Sequence, residues 1–151
     1  MAEAVEEALA DGRHLVVEAG TGVGKSFAYL VPALIGVAEG AGPVVIATRT
    51  IALQEQLVEQ DVPFLIEALE AQKVKVALAK GRGNYVCRRR LAMAHAEGAG
   101  LFDEPAKREQ LTTILEWAET SADGTRSDLS LKPAPDVWDA VKAESGNCLH
   151  Q

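Results

Sequence analysis

The chain of 151 residues contains few cysteines, few aromatic residues and no long apolar run. No stretch approaches the roughly 20 apolar residues of a membrane-spanning helix, and the N-terminus is acidic where a signal peptide is basic. We therefore expect a cytoplasmic protein without membrane association. Cys87 and Cys148 form no Cys-x-x-Cys pair, and a disulfide is not expected in that compartment. By themselves the residues favour two unrelated free thiols.

An excess of basic residues is also missing, since the formal net charge is −7. Affinity for phosphate backbones comes from Lys and Arg, so the composition argues against nucleic-acid binding over the whole surface. One segment departs from this, because no acid occurs from Lys80 through Ala96. Its cations are Lys80, Arg82, Arg88, Arg89 and Arg90. Composition leaves two interpretations open, a solvated surface or a local basic track that binds nucleic acid.

Residues 18–26 read Glu-Ala-Gly-Thr-Gly-Val-Gly-Lys-Ser, between an apolar run and a helical pattern. This context is typical of a P-loop, whose glycines let backbone N–H groups approach phosphate oxygens. Lys25 is expected to reach the β- and γ-phosphates and Ser26 to bind Mg²⁺, as the catalytic pair. Ala19 replaces the usual first glycine, which is acceptable if its φ stays negative. The nucleotide-binding residues predicted are Ala19, Gly20, Thr21, Gly22, Val23, Gly24, Lys25 and Ser26. The alternative is a glycine-rich turn that binds nothing.

Apolar runs at 14–18, 44–48 and 73–78 predict three strands buried in a parallel sheet. Helical patterns accompany them, and the predicted helices are 2–11, 25–38 with a kink or break at Pro32, one from Ile51 capped by Thr50, and 64–71 restarting at Pro63. Alternation of strands and helices indicates an α/β fold. The P-loop, residues 48–50 and residues 80–82 would then share the edge where ligands bind.

After Cys87 the strand patterns stop and helices are predicted at 88–97, 105–119 and from Val137, with a polar loop at 120–135. We therefore predict two domains, residues 1–85 and 86–151. An acid that follows an apolar strand and holds Mg²⁺ is missing. Asp103-Glu104 follows no such strand, and we interpret it as the start of a helix at Pro105.

Four ordered motifs together resemble the DinG/XPD-like superfamily 2 DNA helicases with an iron–sulfur domain. Residues 18–26 resemble their motif I and residues 47–57 their motif Ia. Residues 80–87 resemble the segment with the first iron–sulfur cysteine, and Trp138 followed by Cys148 resembles the approach to the second. The resemblance implies a partial RecA-like sheet followed by a helical insertion.

The resemblance also implies ligands and partners. ATP and Mg²⁺ would bind the P-loop, Thr48, Arg49, Thr50 and Arg82 would contact single-stranded DNA, and Cys87 with Cys148 would be two of four ligands of a [4Fe–4S] cluster. It implies a monomeric 5′-to-3′ translocase that acts in DNA repair. The family's DEAH box, second motor domain, remaining cysteines and adenine-reading glutamine are missing, so we expect a fragment of a helicase without activity of its own.

Two alternatives stay open at this point. A small P-loop kinase fits the length, but the chain offers no acid for Mg²⁺. A non-catalytic module that binds nucleotide without turnover fits the missing catalytic partners.

Overall fold

The structure is a computed structural model, and it describes residues 1–146. Within that range there are seven α-helices, some followed by a short 3₁₀ or π turn and others by an extended segment. They are α1 (Ala2–Asp11), α2 (Lys25–Ala38), α3 (Ile51–Gln56), α4 (Val62–Ala68), α5 (Arg88–Glu97), α6 (Pro105–Thr120) and α7 (Pro135–Val141). No helix in the described range is long and apolar enough to cross a membrane.

The chain divides into two compact units, Met1–Ala79 and a second that begins at Lys80. We call them the first and the second unit. The boundary predicted between residues 85 and 86 divides the chain by function, whereas the two units are defined by compactness alone. That domain boundary stays a prediction.

The predicted parallel sheet is wrong. Residues 1–146 contain no assigned strand, and their only β-pairings are two isolated bridges, Tyr85 with Thr125 and Val86 with Lys142. Segments 44–48 and 74–79 line a common cavity of about 520 Å³. Apolar side chains in the extended segments face solvent, as Val16 (95% exposed) and Val45 (90%) show. A continuous apolar run indicates a preference for burial, whereas a strand also needs a hydrogen-bonding neighbour, which the run cannot specify.

The predicted helices α1 and α2 are confirmed. Helix α1 ends at Gly12, whose φ of 62° lies in the left-handed region that favours glycine at helix ends. Helix α2 continues through Pro32 without a break. Proline removes one donor from a helix, but Pro32 is buried within α2 and packing compensates for that loss.

The predicted new helix beside Pro63 is confirmed, since α4 begins at Val62 with Pro63 in its first turn, although helical structure is continuous from α3 to α4. A π-helical turn, Leu57–Asp61, joins the two helices, and the N–H of Val62 donates to the carbonyl of Leu57. A proline ring clashes with the carbonyl four residues earlier in a regular α-helix. Widening the helix just before Pro63 relieves that clash, so the chain changes helix type instead of stopping.

Each unit has its own core. In the first, α2 packs against α3, the π turn and α4 through Leu30, Leu34, Leu57, Val62 and Leu65. In the second, α5, α6 and α7 enclose a larger core that includes Leu91, Leu111, Ile114, Val137, Trp138 and Val141. The helices predicted at 88–97 and 105–119 are confirmed, and α7 begins two residues before the predicted Val137.

Candidate nucleotide and nucleic-acid site

The glycine-rich loop needs glycine at two positions. Gly22 has φ 78°, and Gly24, the N-cap of α2, has φ 75°. A side chain is strained at such angles, whereas glycine adopts them without cost. Among residues 1–146, Glu70 alone combines a positive φ with a side chain, so Ala19 satisfies the condition set for it. The chain therefore uses glycine where the loop geometry demands it.

Lys25 lies folded over this loop. Its Nζ donates to the carbonyl of Ala19 at 3.1 Å and also to the carbonyl of Gly20. Lys25 and Ser26 are half-buried, while residues 20–24 are exposed. The ammonium group is thus held within the curve of the loop, where an incoming phosphate oxygen can replace the two carbonyls.

The start of α2 adds a second attraction for anions. The first N–H groups of a helix have no intrahelical acceptor, and the helix dipole makes this end positive. The first turn of α2 contains no acid that would compete for those groups. Gly24, Lys25 and Ser26 therefore present backbone donors, an ammonium group and a hydroxyl at one place, which is the chemistry of a phosphate site.

Thr48 and Arg49 lie near this loop. Two cavities, of about 500 and 390 Å³, share walls formed by α1, Tyr29 and Leu53. Lys25 and Ser26 border the larger cavity, and Thr48 and Arg49 border the smaller one. The first unit therefore brings the two predicted motifs to adjoining cavities.

The two threonines of this motif make local hydrogen bonds. The hydroxyl of Thr48 donates to the carbonyl of Thr50 at 3.2 Å, and Thr50 Oγ1 accepts the N–H of Leu53 at 3.4 Å. The predicted cap of α3 is confirmed. Arg49 is exposed and makes no ion pair within residues 1–146, so its guanidinium is the charged group that the motif presents.

The structure separates the basic residues that the sequence groups together. Arg82 and Arg88 are exposed, whereas Arg90 is half-buried and caps α7. Arg90 donates to the carbonyls of Asp139 (2.7 Å) and Lys142 (3.0 Å) and pairs with Glu144. A cation is stabilised at the C-terminal end of a helix by its unpaired carbonyls. Sequence reasoning missed this role because 49 positions separate Arg90 from Asp139.

Cys87 is a half-buried free thiol just before α5. Its N–H donates to the carbonyl of Val141 at 2.8 Å, which fixes the backbone there. Cys148 lies outside the described residues. Across residues 1–146 no three His, Cys, Asp or Glu side chains come together as a metal site. The described part of the chain therefore offers one of the four thiolates that a [4Fe–4S] cluster needs.

The pair Asp103-Glu104 is confirmed as the start of a helix. Glu104 is the N-cap of α6 and pairs with Lys107 at 2.8 Å. Lys107 also pairs with Asp136 at 2.8 Å, and these hydrogen bonds raise its pKa above the ordinary lysine value. The pKa of Asp136 is lowered by Lys107. The pair of Lys107 with Asp136 therefore links α6 to α7.

Comparison with known families and proteins agrees with this geometry. The sequence profile of the DEAD/DEAH box helicases matches residues 2–95, well over half of the chain. The chain belongs to the DEAD/DEAH box helicase family. The matched region includes the P-loop, residues 48–50, Arg82 and Cys87.

Individual helicases are similar over nearly the whole chain. The "ATP-dependent helicase DinG" of Mycobacterium tuberculosis is 39% identical over 99% of this chain. The "ATP-dependent DNA helicase YoaA" of Escherichia coli K12 is 38% identical over 99%, and the "ATP-dependent DNA helicase DinG" of the same strain is 32% identical over 93%. The chain spans between a fifth and a quarter of the length of those relatives: 24%, 22% and 21%, respectively.

Proposed function

We propose that this chain provides the nucleotide-phosphate site of a DinG-type ATP-dependent DNA helicase. The observation that carries the proposal is the loop of residues 19–26, with Gly22 and Gly24 in left-handed conformations and Lys25 folded into its curve. Similarity to helicases over at least 93% of the chain in these three relatives supports the same function.

In this proposal the loop recognises ATP through its phosphates. Backbone N–H groups at the start of α2 donate to phosphate oxygens, and Lys25 exchanges its two loop carbonyls for the β- and γ-phosphates. The hydroxyl of Ser26 would hold Mg²⁺, which neutralises charge on the phosphates when it is bound. Because Lys25 is already positioned by the loop, little side-chain ordering is left for nucleotide binding to impose.

DNA contact is proposed for Thr48, Arg49, Thr50 and Arg82. Arg49 is exposed and supplies charge for a backbone phosphate, while the threonine hydroxyls shape the turn that presents it. Translocation in the 5′-to-3′ direction along single-stranded DNA and a role in DNA repair belong to the same proposal. We propose that the protein acts as a monomer in the cytoplasm.

A [4Fe–4S] cluster bound by Cys87 and Cys148 is also part of the proposal. The described residues contribute one thiol, so we derive no step from the cluster. Thiolates are the usual ligands of such clusters. Iron content and visible absorbance of protein purified without oxygen test it, with Cys87→Ser expected to lower both.

The phosphate site is tested with Lys25→Ala and a fluorescent ATP analogue in the presence of Mg²⁺. We expect affinity to fall tenfold or more, about the value of one hydrogen bond between charged groups. Lys73→Ala is the matched control because it removes an exposed lysine of the same unit. Affinity in Lys25→Ala equal to that of the control would contradict the proposal.

Nucleotide binding without turnover is the second candidate, since no cluster of three acids or metal ligands occurs in residues 1–146. Phosphate release during a single turnover separates the two functions. Release that depends on Lys25 and increases with single-stranded DNA supports the helicase, whereas binding without release supports the non-catalytic module.

A further inference from the structure

Trp138 connects two segments of the second unit that lie far apart in sequence. Its side chain is 2% exposed, and its indole Nε1–H donates to the carbonyl of Gly83 at 2.8 Å. The guanidinium of Arg126 lies over the same ring, 5.1 Å from the centroid. One buried side chain therefore anchors the turn that carries Arg82 and also holds Arg126.

Further bonds fasten the two segments to each other. Nζ of Lys80 donates to the hydroxyls of Thr125 (3.2 Å) and Ser127 (2.9 Å). The N–H of Val86 donates to the carbonyl of Gly124 at 3.0 Å. Gly124 has φ 72°, and a Cβ there would lie 3.0 Å from the side chain of Val86, so glycine is required for this approach.

The turn that carries Arg82 is itself rigid. The side-chain and backbone nitrogens of Asn84 both donate to the carbonyl of Gly81 at 2.9 Å. The hydroxyl of Tyr85 accepts the N–H of Lys80 at 2.9 Å. Residues 80–86 and 124–127 are thus held to each other by a continuous set of hydrogen bonds.

The stack leaves Arg126 able to bind an anion. A guanidinium stacked on an aromatic ring uses its face, whereas its five N–H donors lie in its plane. Arg126 makes no ion pair within residues 1–146, although Asp123 and Asp128 lie nearby in sequence. Asp123 instead accepts the N–H of Thr125 at 2.9 Å. The planar edge of Arg126 therefore matches the oxygens of a phosphate group.

We propose that Arg126 is a second residue for the backbone phosphates of single-stranded DNA, beside Arg82, and that Trp138 is the positioning residue for both. This inference rests on the proposed function, and it adds a contact that the sequence does not indicate. Because hydrogen bonds hold the two turns together and the ring of Trp138 holds Arg126, binding a phosphate there costs little side-chain freedom of Arg126.

The test is binding of a fluorescent oligo-dT to the protein in its full length, measured by anisotropy at several salt concentrations. Each phosphate contact to a single strand contributes about 0.7 to the slope of log K against log salt. We expect Arg126→Ala and Arg82→Ala each to reduce the slope by about that amount and to weaken binding about fivefold. Arg126→Lys should keep the slope because it keeps the charge.

Arg108→Ala is the matched control, since it removes an arginine of the same unit that donates to the carbonyl of Phe102. A slope in Arg126→Ala equal to that of the control, while Arg82→Ala lowers it, would overturn the inference and leave the proposed function in place. Absence of oligo-dT binding by the unchanged protein would overturn both.

Trp138→Phe tests the positioning role, because it keeps an aromatic ring and loses the donor to Gly83. We expect the losses of oligo-dT affinity in Trp138→Phe and Arg82→Ala to be non-additive. If Trp138 acts by positioning Arg82, the double variant loses less affinity than the sum of the two single losses. Additive effects would contradict a positioning role. Far-ultraviolet circular dichroism checks that each variant is folded, and the Arg126 variants test the phosphate contact without changing Trp138.

Discussion

The two units differ in where their apolar residues lie. In the second unit the apolar stripes of α5, α6 and α7 face one another, and Ile114 and Val141 are completely buried. In the first unit the helices enclose a smaller core, and the extended segments keep residues such as Val16 and Val45 exposed. A helix satisfies its own backbone groups and needs only a partner for one face, whereas an extended segment also needs a hydrogen-bonding neighbour.

Apolar content alone therefore does not measure how much of a unit's apolar surface is buried. The second unit combines periodic apolar patterns with side-chain bonds between helices, such as those of Arg90 and Lys107. The first unit has a smaller core and several positive-φ turns, among them Gly22 and Gly24 of the glycine-rich loop. Packing is therefore the more developed in the second unit.

The largest expected effect concerns core packing. Ile114→Ala removes a fully buried side chain and should lower the free energy of unfolding by about 3 kcal/mol, because the cavity is filled only in part. Val16→Ala, its counterpart in the first unit, should change it by less than about 0.5 kcal/mol. Urea unfolding followed by far-ultraviolet circular dichroism, to which the helices of both units contribute, measures both variants. Equal losses in the two variants would remove the difference between the units.

A smaller effect concerns the two kinds of arginine. Arg90→Ala removes two bonds to the end of α7 and should lower the free energy of unfolding by about 2 kcal/mol. Arg13→Ala removes an exposed arginine that pairs with Glu7 and Asp11, so the loss should stay below about 1 kcal/mol. The same denaturation experiment measures both variants. A larger loss in Arg13→Ala would show that surface pairs, not helix caps, stabilise the chain.

The smallest effect concerns the pair of Lys107 with Asp136, which joins α6 to α7. Lys107 lowers the pKa of Asp136, so this pair stabilises the fold above the ordinary aspartate pKa. The contribution is lost as pH falls through the lowered pKa of the folded state. Carboxyl resonances of Asp136 followed by NMR should titrate below the ordinary value, and Lys107→Met should return them toward it. An unchanged titration in Lys107→Met would assign the shift to another cause.

Sequence reasoning was accurate where interactions are local. The bounds of α1 and α2, the cap at Thr50 and the start of α6 follow from patterns within a few residues. It was wrong about the sheet, because a strand depends on how the chain meets other segments. An apolar run and a proline each restrict the chain without deciding what lies beside it.

The candidate site divides in the same way. The need for glycine in the loop, which Gly22 and Gly24 meet with positive φ, was visible in the order of nine consecutive residues. The structural roles of the basic residues were not visible in the sequence. Arg90 serves as a helix cap, and Lys80 donates hydrogen bonds to residues 45 and 47 positions away. Charge in a sequence indicates capacity for binding, and packing decides which charges stay at the surface.

By itself the sequence determined the phosphate-type loop, the helices around it and the family resemblance, because these depend on residue order and short-range backbone preferences. The tertiary structure alone decided that apolar segments such as 14–18 lie exposed and that Arg90 caps α7. It also decided that Trp138 contacts both Arg126 and Gly83, which lies 55 positions earlier in the sequence. Such contacts arise only when distant segments pack together, and no local pattern encodes their partners.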